Sequence, residues 1–221
     1  MQKKTAIKPR VHRVRPPLTH QVRIIGGQWK RTPLPVLAAE GLRPTPDRVR
    51  ETVFNWLNHL IDGRWEVTSC LDLFAGTGAL GFEAASRGAA RVVMVEEHGA
   101  AVRQLEATRA RLGADTVTII RGDAVAIAQS LIARNDDSRF GVIFLDPPYH
   151  QDWMSAILPL CRRLLADGGI VYVEAETALD RVSSGTPAPA WLAGWQVVRA
   201  DRAGMVYYHL LQCGIPPGVE A

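Results

Sequence analysis

The chain has 221 residues, 47% of them hydrophobic, and a formal net charge of +4. This length suits one α/β domain with a modest extension, and the apolar content suffices for a sizeable core. No apolar run reaches the roughly 18 residues of a membrane span, and the basic N-terminus lacks the apolar segment of a secretory signal. Three scattered cysteines lack metal-ligand spacing and are typical of a reducing compartment, so we expect a cytoplasmic protein that binds no metal.

The N-terminal segment is strongly basic. Residues 1–31 contain nine Lys and Arg residues and neither Asp nor Glu. A segment of one charge sign favours a polyanionic partner, although a solvated tail without a role fits residues 1–19 equally well. Because prolines interrupt these residues and apolar side chains are few, we expect 1–20 to be a disordered tail.

Residues 21–40 predict a basic β-hairpin. An apolar run at 22–25 ends in two glycines, and residues 34–37 supply the return strand. Trp29, Lys30 and Arg31 occupy the turn between them. An indole can stack on a base while cations contact phosphates, so this turn is a candidate nucleic-acid contact. Alternatively, Trp29 closes the hairpin onto the main domain.

A helix is expected to begin near Arg48. Pro44 and Pro46 keep the preceding segment extended, and Thr45 or Asp47 is the expected N-cap. The apolar stripe of this helix consists of Val49, Val53, Phe54 and Leu57. The stripe does not account for Arg43, Arg48 and Arg50. Such charges ordinarily lie on a solvent-facing surface.

The next segment is the centre of the sequence. An apolar run at 70–74 predicts a buried parallel strand, which leads into Gly76-x-Gly78-x-x-Gly81 and a helix. Strand, glycine turn and helix in this order indicate nucleotide binding, with a turn that binds no ligand as the alternative. Asp72, at the end of the strand, would repel a pyrophosphate but suits a ligand carrying a sulfonium and an ammonium.

Strands and helices alternate to the end of the chain. Strands are expected near 69–74, 91–95, 116–120, 140–145, 169–174, 195–200 and 204–211, and helices near 79–87, 98–112, 123–133 and 151–165. This alternation predicts an α/β fold with a Rossmann-like, doubly wound, mostly parallel seven-stranded sheet. A short hairpin joins the last two strands, so the final strand should run antiparallel.

Ligands of such sheets bind at the carboxyl ends of the strands. The second strand ends in Glu96, twenty residues after Gly76, where a carboxylate suits two ribose hydroxyls. The third strand is followed by Asp123, which can accept a hydrogen bond from an adenine amino group, cap the next helix, or do both.

The fourth strand ends in Asp146-Pro147-Pro148-Tyr149, the most specific signal in the chain. Two prolines fix an extended backbone and remove two donors, so carbonyl groups and the Asp146 carboxylate form a pocket of acceptors. The ligand group that suits this pocket is an exocyclic amino group on a planar base, and Tyr149 can stack against that base. A proline turn that only ends the strand is the alternative.

These motifs together resemble a known family. The glycine motif with Asp72, Glu96 and the segment 146–149 resembles the class I S-adenosylmethionine-dependent methyltransferases that act on amino nitrogens. Arg23-Ile24-Ile25-Gly26-Gly27 and Arg43-Pro44-Thr45-x-Asp47-Arg48-Val49-Arg50-Glu51-x-x-Phe54-Asn55 resemble its RsmD-type branch, the guanine-N2 methyltransferases of small-subunit (16S) ribosomal RNA. The resemblance covers about residues 22–212. Thr108, where such proteins often have Asn, and the long tail depart from the pattern.

The resemblance implies a methyltransferase domain over 41–221 with S-adenosylmethionine as cofactor. The implied catalytic residues are Asp146, Pro147, Pro148 and Tyr149, and the implied cofactor-binding residues are Asp72, Phe74, Gly76, Gly78, Glu96, Asp123 and Ala124. The residues expected to contact substrate RNA are Arg23, Trp29, Lys30, Arg31, Arg43, Thr45 and Arg48. The expected partner is small-subunit ribosomal RNA or an assembly intermediate, bound by a monomer.

Three alternatives remain open. A DNA adenine-N6 or protein glutamine methyltransferase would use the same pocket, and only the resemblance of the Arg-Pro-Thr segment argues against it. An NAD-dependent oxidoreductase is disfavoured by Asp72 and by the proline pair. A non-catalytic RNA-binding protein that retains the cofactor fold is the third.

Overall fold

A computed structural model describes residues 22–36, 45–134, 139–148, 153–179 and 189–214. The expected tail lies outside them. The strands are β1 Val22–Arg23, β2 Pro33–Leu34, β3 Ser69–Asp72, β4 Arg91–Glu96, β5 Val117–Arg121, β6 Phe140–Leu145, β7 Leu165–Ala175, β8 Trp195–Ala203 and β9 Val206–Cys213. The α-helices are α1 Asp47–Leu60, α2 Ala79–Ser86, α3 Gly99–Leu112, α4 Ala124–Ala133 and α5 Trp153–Leu164, and short 3-10 helices lie at Trp65–Val67 and Ala190–Leu192.

Seven strands form one sheet in the order β5-β4-β3-β6-β7-β9-β8. Strands β3 to β7 pair in parallel, and β9 runs antiparallel to both β7 and β8. The predicted doubly wound sheet and its antiparallel last strand are therefore confirmed. One boundary differs, because β7 begins at Leu165 directly after α5 and not near residue 169, with a register shift against β6.

The sheet separates two apolar cores. Successive residues of a strand point to opposite faces, and on β6 Val142 and Phe144 belong to one core while Ile143 and Leu145 belong to the other. Helix α1 covers the first face, where the Phe54 ring lies 5.8 Å from that of Phe144. Asp72 on β3 and Glu174 on β7 each lie two residues after a member of the first core, Cys70 and Tyr172, so their side chains are on the α1 face as well.

The start of α1 differs from the expected cap. Pro46 occupies the N-cap position, and neither Thr45 nor Asp47 caps the helix with its side chain. The Thr45 hydroxyl instead contacts the carboxyl groups of Asp146, after β6, and of Glu174 on β7. Arg50, expected on a solvent-facing surface, is fully buried and donates hydrogen bonds to Asp47 at 2.6 Å and to the Arg23 carbonyl at 2.9 Å.

Strands β1 and β2 form the predicted N-terminal hairpin, which is docked on α2. The buried Glu83 carboxylate accepts the backbone N–H groups of Ile25 and Gly26 at 2.6 and 2.8 Å. Gly27 has φ +71°, and a Cβ there would lie 1.8 Å from the Ser86 carbonyl oxygen. Only glycine allows this approach, so the two glycines before the turn serve docking on the main domain.

None of the described helices combines the length and apolar character needed to cross a membrane.

Candidate active site

The centre of the sheet contains a topological switch point. Strands β3 and β6 are neighbours, with Asp72 paired in register with Phe144, and the chain continues from them toward opposite edges of the sheet. Such crevices at the carboxyl ends of parallel strands are where ligands bind in open α/β sheets. Asp72 ends β3 and Asp146 follows β6, so both predicted carboxylates lie at this crevice.

Asp72 is buried, with only 1% of its surface exposed. Its Oδ2 accepts the Gly81 N–H at 3.1 Å, and the Phe74 backbone also interacts with the carboxylate. Its Oδ1 makes no hydrogen bond of normal geometry in the described part of the chain. Burial, with the Glu96 charge adding to it, raises the pKa of Asp72 to about 7. A buried carboxylate oxygen without a donor suits a cationic ligand group.

The glycine turn leaves room for a ligand at one position. Gly76 and Gly78 both adopt left-handed backbone, with φ of +52° and +77°. A Cβ at Gly78 would lie 2.6 Å from the Phe82 ring, whereas a Cβ at Gly76 would have its nearest neighbour 4.0 Å away. Gly81 packs against Met94 of β4, where a Cβ would lie 2.4 Å from its methyl carbon. Space for a ligand therefore opens at Gly76.

Glu96 lies directly at this turn. One of its oxygens accepts the Gly76 N–H at 2.8 Å, and the other accepts the His98 N–H at 2.8 Å. The oxygen that accepts the Gly76 N–H keeps a second lone pair for a hydroxyl. The other oxygen also lies 3.2 Å from the His98 Nδ1, so a second hydroxyl would have to displace this ring contact. The glycine turn and the end of β4 are thus joined through the residue predicted to bind the ribose.

Asp123 caps α4, which confirms the capping interpretation. Its side chain accepts the Ala126 N–H at 2.8 Å and puts Ala124 at the first helical position. The adenine contact stays a prediction. Phe74, also predicted at the cofactor, packs edge-to-face against Trp153 with ring centroids 5.3 Å apart.

Asp146 belongs to a cluster of oxygen atoms. The Thr45 Oγ1 lies 3.3 Å from its Oδ2 and 2.6 Å from Glu174 Oε1, and the Tyr172 hydroxyl donates to the same Glu174 oxygen at 2.7 Å. Asp146 is half-buried, and the desolvation of its carboxyl group, the negative charges of Glu174 and Asp72 and a hydrogen bond with Glu174 raise its pKa well above the usual range. Burial also raises the pKa of Glu174, against the hydrogen bonds from Thr45, Tyr172 and Asp146.

Pro147 and Pro148 follow Asp146 with increasing exposure, so the segment emerges from the sheet toward solvent. Tyr149 and Arg43, two other predicted site residues, lie outside the described residues.

The described residues that were predicted to contact RNA fall into three groups. Lys30 and Arg31 are exposed at the hairpin turn, as is Arg48 at the start of α1. Two others make contacts within the protein: the Arg23 side chain pairs with Asp47 at 2.7 Å, and Trp29 is partly buried against the core. The last one, Thr45, is buried beside Asp146.

Sequence reasoning missed Glu83, Glu174 and Arg50. Each had a signal, since Glu83 is the one acid of α2 and Glu174 the one acid of the apolar stretch 169–175 in β7. Arg50 precedes Val53 by three residues, which is helical spacing and puts it on the buried stripe.

This fold and site define a class I S-adenosylmethionine-dependent methyltransferase. The cofactor fits the residues present: the Asp72 oxygen without a donor suits its cationic end, Gly76 leaves space, and Glu96 can accept ribose hydroxyls. A family profile described as Conserved hypothetical protein 95 matches residues 22–212, and the chain belongs to this family of RsmD-type methyltransferases.

Individual relatives are similar along most of the chain. Proteins named Ribosomal RNA small subunit methyltransferase D are 40% identical over 195 residues in Escherichia coli (strain K12) and 38% identical over 198 residues in Haemophilus influenzae. Both alignments cover 87% of this chain, and 90% and 94% of the respective relatives. The solved structure of yhhF from Escherichia coli, 36% identical, matches with a TM-score of 0.68 over 88% of this chain and 98% of its own.

Proposed function

We propose that this protein transfers a methyl group from S-adenosylmethionine to the exocyclic N2 of a guanine in small-subunit ribosomal RNA. The observation that supports this most directly is Asp146-Pro147-Pro148 at the switch point, beside Asp72 on the neighbouring strand. The relatives named as methyltransferases of small-subunit ribosomal RNA support the same substrate.

The cofactor would be held by residues from three strand ends. Asp72 would face its cationic amino-acid portion, Glu96 its ribose hydroxyls, and the segment at Asp123 and Ala124 its adenine. When bound, it supplies an electrophilic methyl group attached to a positively charged sulfur. The chain's own contribution is placement, and alignment of reacting atoms accounts for a large part of catalysis in such reactions.

The substrate side of the site is built from acceptors. A guanine amino nitrogen donates its lone pair into the ring and is a weak nucleophile. Asp146 and the Pro147 carbonyl can accept its hydrogens, which draws the nitrogen out of conjugation and stabilises the positive charge that develops on it. The base has to leave its stack to reach this position, as in other enzymes that modify bases.

The basic hairpin provides a surface for the RNA. Lys30 and Arg31 are exposed at its turn, and Arg48 is exposed beside the active-site edge, where cations can meet phosphates.

The three cysteines, Cys70, Cys161 and Cys213, are free thiols, consistent with the cytoplasm as the place of action. The monomeric state stays a prediction.

The test is transfer of labelled methyl groups to defined substrates. Small-subunit particles and naked ribosomal RNA from cells that lack this protein would be incubated with it. One portion would be digested to nucleosides to identify the product and another to oligonucleotides to map it, both by mass spectrometry. We expect N2-methylguanosine at a single mapped position. Labelling of adenine in DNA, or of glutamine in a protein fraction, would assign the protein to the alternative class instead. Absence of product from every fraction would indicate a non-catalytic RNA-binding protein.

A further inference from the structure

The Thr45 hydroxyl lies close to two carboxyl groups but has a single hydrogen. Its oxygen lies 2.6 Å from Glu174 Oε1 and 3.3 Å from Asp146 Oδ2. With that hydrogen on the closer Glu174, the contact to Asp146 lacks a donor unless the Asp146 carboxyl itself carries a proton. The reverse arrangement, with a proton on Glu174 and the hydroxyl directed at Asp146, satisfies the same three groups.

The surroundings favour a single proton shared by the Asp146 and Glu174 carboxyl groups, which form the pair considered below. Thr45 and Glu174 are 8% and 5% exposed, and two ionised carboxylates at such a site repel each other strongly. Asp72 on β3 adds a third carboxyl group nearby. The buried cation of α1, Arg50, donates to Asp47 and to the Arg23 and Thr45 carbonyl oxygens and not to the pair.

Tyrosine hydroxyls complete the surroundings of the pair. The Tyr172 hydroxyl donates to Glu174 Oε1 at 2.7 Å. Tyr208 on β9 stands opposite Glu174 in the sheet register, but its hydroxyl donates to Asp201 at 2.9 Å. Among the described residues, the hydroxyls that hydrogen-bond directly to Asp146 and Glu174 are those of Thr45 and Tyr172. The two carboxyl groups also hydrogen-bond to each other, which requires a proton between them.

We propose that the Thr45 hydroxyl relays one proton between Asp146 and Glu174, so that Glu174 controls when Asp146 faces the substrate as a carboxylate. This inference rests on the proposed function. Thr45 thereby changes from a predicted RNA contact to a positioning residue, and Glu174 becomes a second one. A concerted shift of two hydrogens, one from Asp146 to Thr45 Oγ1 and one from Thr45 Oγ1 to Glu174, moves the proton without moving any heavy atom of the three side chains.

With the proton on Glu174, Asp146 accepts an N–H of the guanine amino group. The nitrogen lone pair then forms the N–C bond while the S–C bond breaks and leaves its electron pair on sulfur. The nitrogen loses one proton to Asp146, and the pair then holds two protons. One of these passes to water when the product leaves and the site opens.

The first test is the pH dependence of single-turnover methylation with RNA and cofactor saturating. Glu174→Gln keeps the shape of the side chain and removes its charge, which lowers the pKa of Asp146. The acid limb of the rate profile should therefore move to lower pH, while affinity for S-adenosylhomocysteine stays unchanged. Glu106→Gln, on an exposed helix surface, is the matched control. An acid limb that coincides with that of the unmodified protein would overturn the relay.

The second test removes the hydroxyl. Thr45→Val should lower the single-turnover rate by about 10²-fold, the lower end of what a positioned proton-transfer group contributes. Thr45→Ser retains the hydroxyl and should recover most of that loss, and Thr118→Val on an exposed strand position is the control. Equal rates for the Val and Ser variants would contradict the proposal, because packing alone would then explain Thr45.

A readout without catalysis separates this inference from the proposed function. Carboxyl carbons of the free protein, labelled with ¹³C, can be titrated by NMR in the unmodified protein and in Glu174→Gln. We expect Asp146 and Glu174 to titrate as a coupled pair, and Asp146 to titrate alone at lower pH in the variant. Independent titration in the unmodified protein would disprove the shared proton even if ribosomal RNA is methylated. The coupled titration would stand even if another substrate were found.

Discussion

The Glu83 carboxylate accepts the backbone N–H of Ile25 at 2.6 Å, which ties the N-terminal hairpin to the helix that follows the glycine turn. Glu83 is fully buried, and it also pairs with Arg87 at 2.8 Å. The guanidinium of Arg87 lies over the Phe54 ring, 5.0 Å from its centroid, so the same contact reaches α1. The basic hairpin and the cofactor side of the domain are therefore joined by one buried side chain.

Glu83→Ala should destabilise the fold by about 3–5 kcal/mol, because it leaves a mostly buried arginine without its partner. The measurement is denaturant unfolding, with trypsin digestion to follow release of the hairpin at Lys30 and Arg31. The control is Glu106→Ala, which removes an exposed pair with Arg109 and should cost no more than about 1 kcal/mol. Equal losses in the two variants would mean that the hairpin is held by its apolar contacts.

Glu96→Ala should weaken cofactor binding by about 1.5–3 kcal/mol, the value of a hydrogen bond to a charged group. The substitution also removes the acceptor for the Gly76 N–H, so the glycine turn should loosen. Isothermal titration with S-adenosylhomocysteine measures the loss, and the exposed neighbour Glu97→Ala is a control of the same charge. Unchanged affinity would show that the ribose is bound elsewhere.

Asp72→Asn should stabilise the free protein at neutral and alkaline pH while weakening cofactor binding. The pKa of Asp72 is raised by burial from 3.8 to about 7, so the folded state binds the proton more tightly than the unfolded state. Stability of the unmodified protein therefore falls as pH rises between these values, by up to about 4 kcal/mol from this group.

Asparagine cannot ionise, so this part of the pH dependence should be missing from the variant. Unfolding free energies measured between acid and alkaline pH check this, and cofactor titration checks the binding. The unfolding free energies of the unmodified protein and the variant should agree in acid, and their difference should reach its full size above pH 7. A constant difference at every pH would locate the effect in packing instead of ionisation.

Asp146→Ala should lower single-turnover methylation by about 10²–10³-fold, as expected when a preorganised electrostatic partner is lost. Cofactor affinity should change little, because Asp72 and Glu96 hold that ligand from other strands. Asp146→Asn keeps an acceptor without the charge and should retain partial activity. Near-normal turnover of the Ala variant would move the catalytic centre away from this segment.

Reversal of charge at Lys30 and Arg31 should weaken RNA binding and flatten its salt dependence. Each lost phosphate contact should reduce the slope of log K against log salt by roughly 0.7–0.9. Fluorescence anisotropy with labelled RNA over a salt series measures this. Arg134→Glu with Arg163→Glu, exposed at the last residues of α4 and α5, makes the same change of net charge away from the active-site edge. If both double variants lose affinity equally, the hairpin makes no specific contact.

The sequence alone determined the architecture of the main sheet and the position of three carboxylates in it. Apolar runs, glycine spacing and helical periodicity are local properties, and parallel strands bring their carboxyl ends to one edge wherever the chain folds this way. The sequence was therefore sufficient to place three residues at that edge, namely Asp72, Glu96 and Asp146. The boundary of β7 at Leu165 was missed because the adjoining helix and strand have no turn signal between them.

The tertiary structure alone decided which polar groups meet. Thr45 and Glu174 are 129 residues apart in the chain, and no local pattern relates them. Their contact follows from α1 packing on the face of the sheet where alternate residues of β7 point. Once both are buried, each needs a hydrogen-bond partner, and the nearest one available is the other. The same requirement pairs Arg50 with Asp47 and Glu83 with the hairpin, because a buried polar group is stable only where the fold brings it a partner.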